Sequence, residues 1–348
     1  MAEFGSGNDT ASKGFADMST EPVIERSATS AITRFGLGTA AVGRPGYITL
    51  GRDLDLPADR SVEALRARTH ALLDAAWAAG VRYFDTARSY GRAEEFVGAW
   101  LASRPEVAGE VVVGSKWGYT YTADWQASGV PVHEVKKHAV EVFDRQIGET
   151  RAALGGNPYV YLVHSVTPES PALSDPALLA RLAALAGEGV RVGLSTSGPA
   201  QAQVVRAALE VSVEGRPLFA AVQSTWNLLE PSVGPALAEA HSAGWLVVVK
   251  EAMANGRLAG RNAVGPALAA LREQSAAAGV PEDALALAAA AAQPWADIVL
   301  SGAATLDQLA SNLIAAQVTF APGALAEFAG LAEPAESYWQ TRAVLPWA

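Results

Sequence analysis

From Arg34 onward, short runs of β-branched and other apolar residues alternate with longer Ala- and Leu-rich stretches of helical spacing. That alternation builds parallel sheets with crossover helices. Eight runs read as strands: RFGLGT (34–39), VRYFD (81–85), EVVVGSK (110–116), YVYLVH (159–164), VRVGLS (190–195), FAAVQS (219–224), WLVVVK (245–250) and ADIVLSG (296–302). After the first of them, SVEALRARTHALLDAAWAAG has helical periodicity and ends on Gly80, as a helix C-terminus does. Eight strands with about as many helices predict the α/β class and a closed (β/α)8 TIM barrel. The expected organisation is one domain over residues 30–348, with a C-terminal tail over the barrel mouth. The competing architecture is a doubly wound open sheet. When such a sheet binds dinucleotides it usually carries a G-x-G-x-x-G turn after its first strand, and none follows any strand here.

Residues 1–22 mix Gly, Ser, Asp and Lys without periodicity and lack the basic-then-apolar layout of a secretory signal, so they read as a tag or disordered tail. There are no cysteines, which removes disulfides, thiolate metal sites and cysteine nucleophiles from consideration. The net charge of −10 is spread along the chain, and no Lys/Arg-rich segment offers a footprint for nucleic acid. No apolar run is long enough to span a membrane. The expectations are a cytoplasmic protein with no nucleic-acid or membrane partner and no metal, acting on a small molecule.

Barrel chemistry sits at the C-terminal ends of the strands and in the loops after them. Those positions hold Asp85 with Tyr90, Lys116, His164, Ser195 with Thr196, Gln223, Lys250 with Glu251, and Ser301. Any one polar strand end can be a turn or helix cap, but in a barrel all of these converge on one mouth. A free phenol has a pKa of about 10, and an adjacent ammonium lowers it. Lys116 would thus make Tyr90 a usable acid, Asp85 would hold the lysine charged and aimed, and His164 would orient a carbonyl through a ring N–H. Such a group protonates a developing alkoxide and needs a hydride from elsewhere, which points to a nicotinamide cofactor.

VRYFDTARSYGRAEEFVG, followed by a strand ending in Lys116 and another ending in His164, resembles the aldo-keto reductase superfamily. GLGTAA, VQSTWNLLEP and ATLDQLASNL resemble its first-strand, sixth-strand and final-helix segments, so the likeness runs from Arg34 to about Ala316. The resemblance implies a barrel that binds NADPH, or less often NADH, and reduces an aldehyde or ketone to an alcohol or runs the reverse oxidation. It implies Asp85, Tyr90, Lys116 and His164 as the catalytic group, with Tyr90 as general acid/base. Ser195 and Gln223 would hold the nicotinamide carboxamide, with Thr196 beside them. Gly38, Thr39 and Asp85 would pack near the cofactor, Arg257 along the pyrophosphate, and Ser301, Gln308 and Asn312 at the far end.

Three departures from the family pattern stand out. Ser195-Thr196 replaces a Ser-Asn pair. Lys250-Glu251-Ala252-Met253 replaces an aromatic residue followed by Ser-Pro-Leu, and Lys250 could form a salt bridge, touch the cofactor or add charge near the substrate. Gly302, Ala303, Ala304 and Thr305 lack the cations that grip the 2′-phosphate of NADPH, so NADP ranks first on family frequency alone and NAD stands beside it. For the substrate pocket the expected lining is Tyr90, Trp117, Tyr119, Trp125, His164 and Trp226, with Tyr121, Tyr338 and Trp339 near the mouth and the long segment 118–133 closing over the ligand. A non-catalytic, cofactor-binding regulatory subunit of the same fold and a metal-dependent barrel enzyme are the competing readings.

Overall fold

The computed structural model describes Met1 and residues 24–26, 32–56, 58–262 and 268–347. The expected tail over residues 1–22, Met1 apart, lies outside the described residues. The eight strands are β1 (Phe35–Gly38), β2 (Tyr83–Asp85), β3 (Val112–Trp117), β4 (Val160–Val166), β5 (Arg191–Thr196), β6 (Ala221–Thr225), β7 (Leu246–Lys250) and β8 (Ile298–Ser301). They pair in parallel in chain order, and β8 pairs with β1 through Val299 and Phe35. The sheet therefore closes and has no edge, so the open-sheet alternative does not apply.

Outside the barrel run α1 (Val62–Ala78), α2 (Ala93–Ala102), α3 (Val140–Leu154), α4 (Pro176–Gly187), α5 (Gln201–Leu209), α6 (Gly234–Ser242), α7 (Ala269–Ala278), α8 (Glu282–Ala291), α9 (Leu306–Leu313) and α10 (Ala335–Ala343). Helix α1 stops where its sequence says it should. Gly80 takes φ 100°, its N–H reaches Trp77 O, and Val81 N–H reaches Ala76 O. That cap takes up Val81, and β2 begins two residues later than the apolar run that announces it. Every residue from Ala284 to Ala291 in α8 is buried, and apart from Leu285 and Leu287 all are alanines, which let that helix pack closely on its neighbours. Among the described residues no helix is long and apolar enough to cross a membrane.

Side chains alternate in and out along each strand. Tyr83, Leu162, Val248 and Leu300 fill the lower barrel interior. Glycines on neighbouring strands make room for them: a Cβ at Gly114 would lie 2.3 Å from Tyr83 Oη, and one at Gly36 would lie 2.9 Å from Leu300 Cδ2. Two residues further along each strand, on the same inward face, come Asp85, Lys116, His164, Ser195, Gln223 and Lys250. The plug beneath and the polar ring above share one periodicity.

The segment after β3 is a β-hairpin. Tyr119–Tyr121 pairs antiparallel with Glu134–Lys136, so the long connection expected over 118–133 is ordered by its own short ladder.

Candidate active site

A cleft of about 620 Å³ opens over the C-terminal ends of the strands. At its floor, Lys116 Nζ lies 2.5 Å from Asp85 Oδ2, 3.0 Å from Thr86 O and 3.3 Å from Tyr90 Oη. Gln223 Nε2 donates to the other carboxylate oxygen at 2.7 Å. Asp85 is thus bonded on both oxygens, and its attraction for the ammonium is directed in a place with little water to screen it. Lys116 is fully buried, and Tyr90 is 8% exposed, toward the cleft.

The Tyr90 phenol is pushed well above its ordinary value, first by burial and then by the Asp85 carboxylate, with Arg44 opposing. The net direction is upward even with the Lys116 ammonium 3.3 Å away, because burial penalises the phenolate and Asp85 adds to that penalty. The phenol is therefore held in its protonated form. His164 stands edge-on to Tyr90 at 5.6 Å between ring centroids and to Tyr119 at 5.0 Å. Burial, then Lys116, Lys250 and Arg44, push its pKa well down, so the imidazole is neutral. Its Nδ1 is buried without a partner.

Local features aim these groups. A register shift between Val163 and Val166 marks a bulge in β4, and Ser165 within it takes φ 55°. Ser195 Oγ accepts the Ser165 N–H at 2.7 Å and fixes the bulge beneath His164. Behind His164, His138 Nε2 lies 2.8 Å from its carbonyl oxygen; burial lowers the pKa of His138 to about 4, so the neutral ring donates there. At the end of β1 the Thr39 hydroxyl and N–H both donate to Asp85 O, at 2.8 and 2.9 Å.

The rim comes from loops far apart in the chain. Arg44 donates to Ser89 O and to Glu134 Oε2, both at 2.8 Å, and its guanidinium lies 5.4 Å from the Tyr90 ring centre and 4.9 Å from that of Trp347. This contact depends on Gly91, at φ 62°, where a Cβ would lie 2.5 Å from Gly43 O. Across the cleft, Lys250 Nζ donates to Thr225 Oγ1 at 2.6 Å and stands 3.8 Å from Glu251 Oε1. Arg342, from α10, binds both oxygens of Glu251, the closest approach being 2.5 Å. The loops after β1 and β7 are stitched together by Leu50 N–H to Asn255 O at 3.0 Å, Asn255 Nδ2 to Ile48 O at 3.1 Å, and Arg261 to Asp55 at 2.6 Å.

The model of the Aldo/keto reductase family matches residues 36–333. The chain belongs to this family. Two aldo-keto reductase structures share its fold. One, the holo form of an enzyme from Bacillus halodurans, is 20% identical, with 91% of this chain and 99% of that chain covered and a TM-score of 0.65. The other, described as an aldo-keto reductase of Pseudomonas aeruginosa, is 23% identical, with 84% and 95% covered and a TM-score of 0.57. A pyridoxal 4-dehydrogenase of Microbacterium luteolum is 35% identical over 102 residues, which span 29% of this chain and 25% of that enzyme. In this family nicotinamide-dependent carbonyl reduction is the norm.

Within this family member, the expected site residues divide between the cleft wall and places away from it. Gly38, Asp85, Gln223, Lys250, Ser301, Gln308 and Asn312 line the cleft, as do Tyr90, Tyr119 and His164. Thr196 follows an inward residue and so faces outward, where its hydroxyl meets Ser224 Oγ at 2.7 Å and Gln201 Oε1 at 3.2 Å. Trp117 follows Lys116 and packs outside the barrel on Phe143 at 5.1 Å. Trp226 packs on Trp295, and Trp125 on Phe96 with its indole N–H on Arg60 O. Arg257 is paired with Glu333 beside the Tyr338 ring. Thr39 is fully buried under Asp85. None of these six is on the cleft wall. Trp339 is buried beside Lys250, its ring centre 5.9 Å from the ammonium, while Tyr338 is committed to Asn227.

Arg44, Tyr47, Glu134, Arg342 and Trp347 do line the cleft and were not legible as site residues. Arg44, Tyr47 and Trp347 stand in connections or the tail, Glu134 on the short hairpin and Arg342 in α10, none of them at the end of a barrel strand.

Proposed function

We propose that this chain reduces an aldehyde or ketone to an alcohol, or runs the reverse oxidation, with a nicotinamide cofactor along the cleft and Tyr90 as general acid/base. The reading is carried by one observation: a buried Asp85–Lys116–Tyr90 chain opens onto the cleft beside a neutral His164. The cleft also suits the cofactor. Gln223 Oε1 is buried without a partner on its wall and can accept a carboxamide N–H. Gly302 has open space where a side chain would stand. Gln223 and Gly38 would lie against the nicotinamide half, and Ser301 and Asn312 against the adenosine half.

When bound, the cofactor supplies the hydride in reduction and takes it in oxidation. His164 offers a ring N–H to the carbonyl oxygen and fixes its direction. As charge develops on that oxygen, Tyr90 gives up its Oη proton to it. The Lys116 ammonium then donates to the phenolate oxygen left behind. Asp85, gripped by Gln223, keeps the ammonium from turning away. In oxidation Tyr90 runs the same transfer backward. Residues 335–347 form the tail over the substrate end, through Arg342 and Trp347.

Asp283 and Asp307 line the far end of the cleft, and no Lys or Arg occurs from Ser301 to Asn312. Asn312 ties that end together, donating to Asp283 Oδ2 at 2.7 Å and accepting from Ser301 Oγ at 2.8 Å. A 2′-phosphate would meet carboxylates there, so NADH serves at least as well as NADPH, although NADP is the commoner cofactor in the family.

The experiment is to follow reduced-cofactor absorbance with NADH and with NADPH after adding 4-nitrobenzaldehyde or pyridoxal, the aromatic aldehyde that the Microbacterium relative is named for. Loss of absorbance that needs both protein and aldehyde, with NADH at least as good a cofactor as NADPH, is expected. No turnover of any carbonyl or alcohol with either cofactor would overturn the assignment.

A further inference from the structure

Four cations and three carboxylates surround Tyr90 and His164. Lys116 is paired with Asp85, Arg44 with Glu134, and Arg342 with both oxygens of Glu251. Lys250 shares Glu251 with Arg342, in a longer ion pair that leaves its donors free. Its ammonium has three donors. One is used on Thr225 Oγ1, and Glu251, already saturated by Arg342, stands 3.8 Å away, beyond hydrogen-bond reach. Thr225 passes its own proton on to Glu251 Oε2 at 3.2 Å, so its oxygen is turned toward Lys250 as an acceptor.

The lysine is not a surface group that drifted inward. It occupies the last inward position of β7, its side chain is 15% exposed, and that exposure is to the cleft. A partly desolvated ammonium with unused donors is a costly arrangement unless a ligand completes it. The same end of the cleft is lined by the rings of Tyr47, Tyr119 and Trp347, which favour a flat ligand.

We propose that Lys250 is the recognition site for an oxyanion carried by the substrate, a carboxylate or phenolate on an aromatic ring, so that anionic aromatic aldehydes and alcohols are selected over neutral ones. The other three cations are already committed and cannot take this role without breaking a pair. An incoming oxyanion makes the charges at the mouth four and four. The inference rests on the carbonyl–alcohol reading above, and binding measured without turnover tests it separately.

The test is calorimetric titration of the full chain with 4-(hydroxymethyl)benzoate and with its neutral near-isostere 4-(hydroxymethyl)benzamide, with and without NADH. These alcohols avoid imine formation with the lysine. The wild type is expected to bind the benzoate about ten-fold more tightly than the amide, the scale of one charge-assisted hydrogen bond. Lys250→Met should bring that ratio to near one, and Lys250→Arg should keep most of it. Equal binding of the two ligands by the wild type would overturn the proposal, whatever the variants do. So would an unchanged ratio in Lys250→Met, or a loss of NADH affinity in that variant with the ratio intact, which would assign the lysine to the cofactor. Absence of turnover with a preserved binding ratio would remove the carbonyl–alcohol reading and leave the oxyanion site standing.

Discussion

Gln223 donates to Oδ1 of Asp85 at 2.7 Å across the barrel lumen, joining β6 to β2. The bond completes the hydrogen bonding of a buried carboxylate whose other oxygen holds Lys116. Gln223→Leu would leave that oxygen without its donor, and a hydrogen bond to a charged group contributes about 1.5–3 kcal/mol. Urea unfolding should register a loss on that scale, with unchanged m-value. A variant as stable as the wild type would mean the carboxylate is satisfied without the amide.

Tyr90→Phe keeps the ring that packs against His164 and Arg44 and removes only the transferable proton. Turnover should fall by about 10²- to 10⁴-fold, the usual contribution of a positioned acid or base. Cofactor affinity, read by tryptophan quenching, should change little. Activity within a few-fold of the wild type would assign the proton transfer elsewhere.

Lys116→Met strands Asp85 in a buried site, and breaking such a pair from one side costs about 3–5 kcal/mol. The double variant Lys116→Met with Asp85→Asn should regain much of that stability while remaining inactive. The two outcomes together separate the lysine's structural pairing from its action on Tyr90. If the double variant were less stable than Lys116→Met alone, the pair would not be the reason for the loss.

Stability should depend on Glu251 in acid. Burial would raise its carboxyl, but Arg342 and Lys250 outweigh this and hold it at about 2 against an ordinary 4.5. A depressed folded-state pKa gives stability that is present above about 4.5 and is lost as pH falls toward about 2. Thermal unfolding of Glu251→Gln between those limits should therefore fall less steeply with acid than that of the wild type. Parallel curves would show that the ion pair does not couple to folding.

Preference for an anionic ligand should itself depend on pH. Burial lowers the Lys250 ammonium to about 8; Glu251 and Asp85 oppose the shift, and Arg342 and Lys116 reinforce it. His164 lies well below its ordinary value and Tyr90 well above its own, so neither changes charge in this range. The ratio of benzoate to benzamide affinity should be full below about 8 and decline above it. A ratio flat from neutrality to alkaline pH would separate the preference from this lysine.

The chain's own pattern determined the barrel and the polar floor of its cleft. Strand alternation is a local property, and it sends Asp85, Lys116, His164, Gln223 and Lys250 to the inside two residues above an apolar plug of Tyr83, Leu162, Val248 and Leu300. The same parity sends Trp117 and Thr196 outward, which a strict reading of the period would have anticipated. Trp125 and Trp226 stand in connections, where no period applies, and aromatic content says nothing there about direction. What only the tertiary structure decided is the rim: Arg44 over Tyr90, Glu134 on Arg44, and Arg342 holding both oxygens of Glu251 beside Lys250. Those partners are separated by 46, 90 and 91 residues, and they meet because barrel closure brings the loops after β1, β2, β3 and β7 and the C-terminal helix to one end. Local spacing carries no record of that convergence, so the unused hydrogen-bond donors of Lys250 became visible only once the ring of strands was closed.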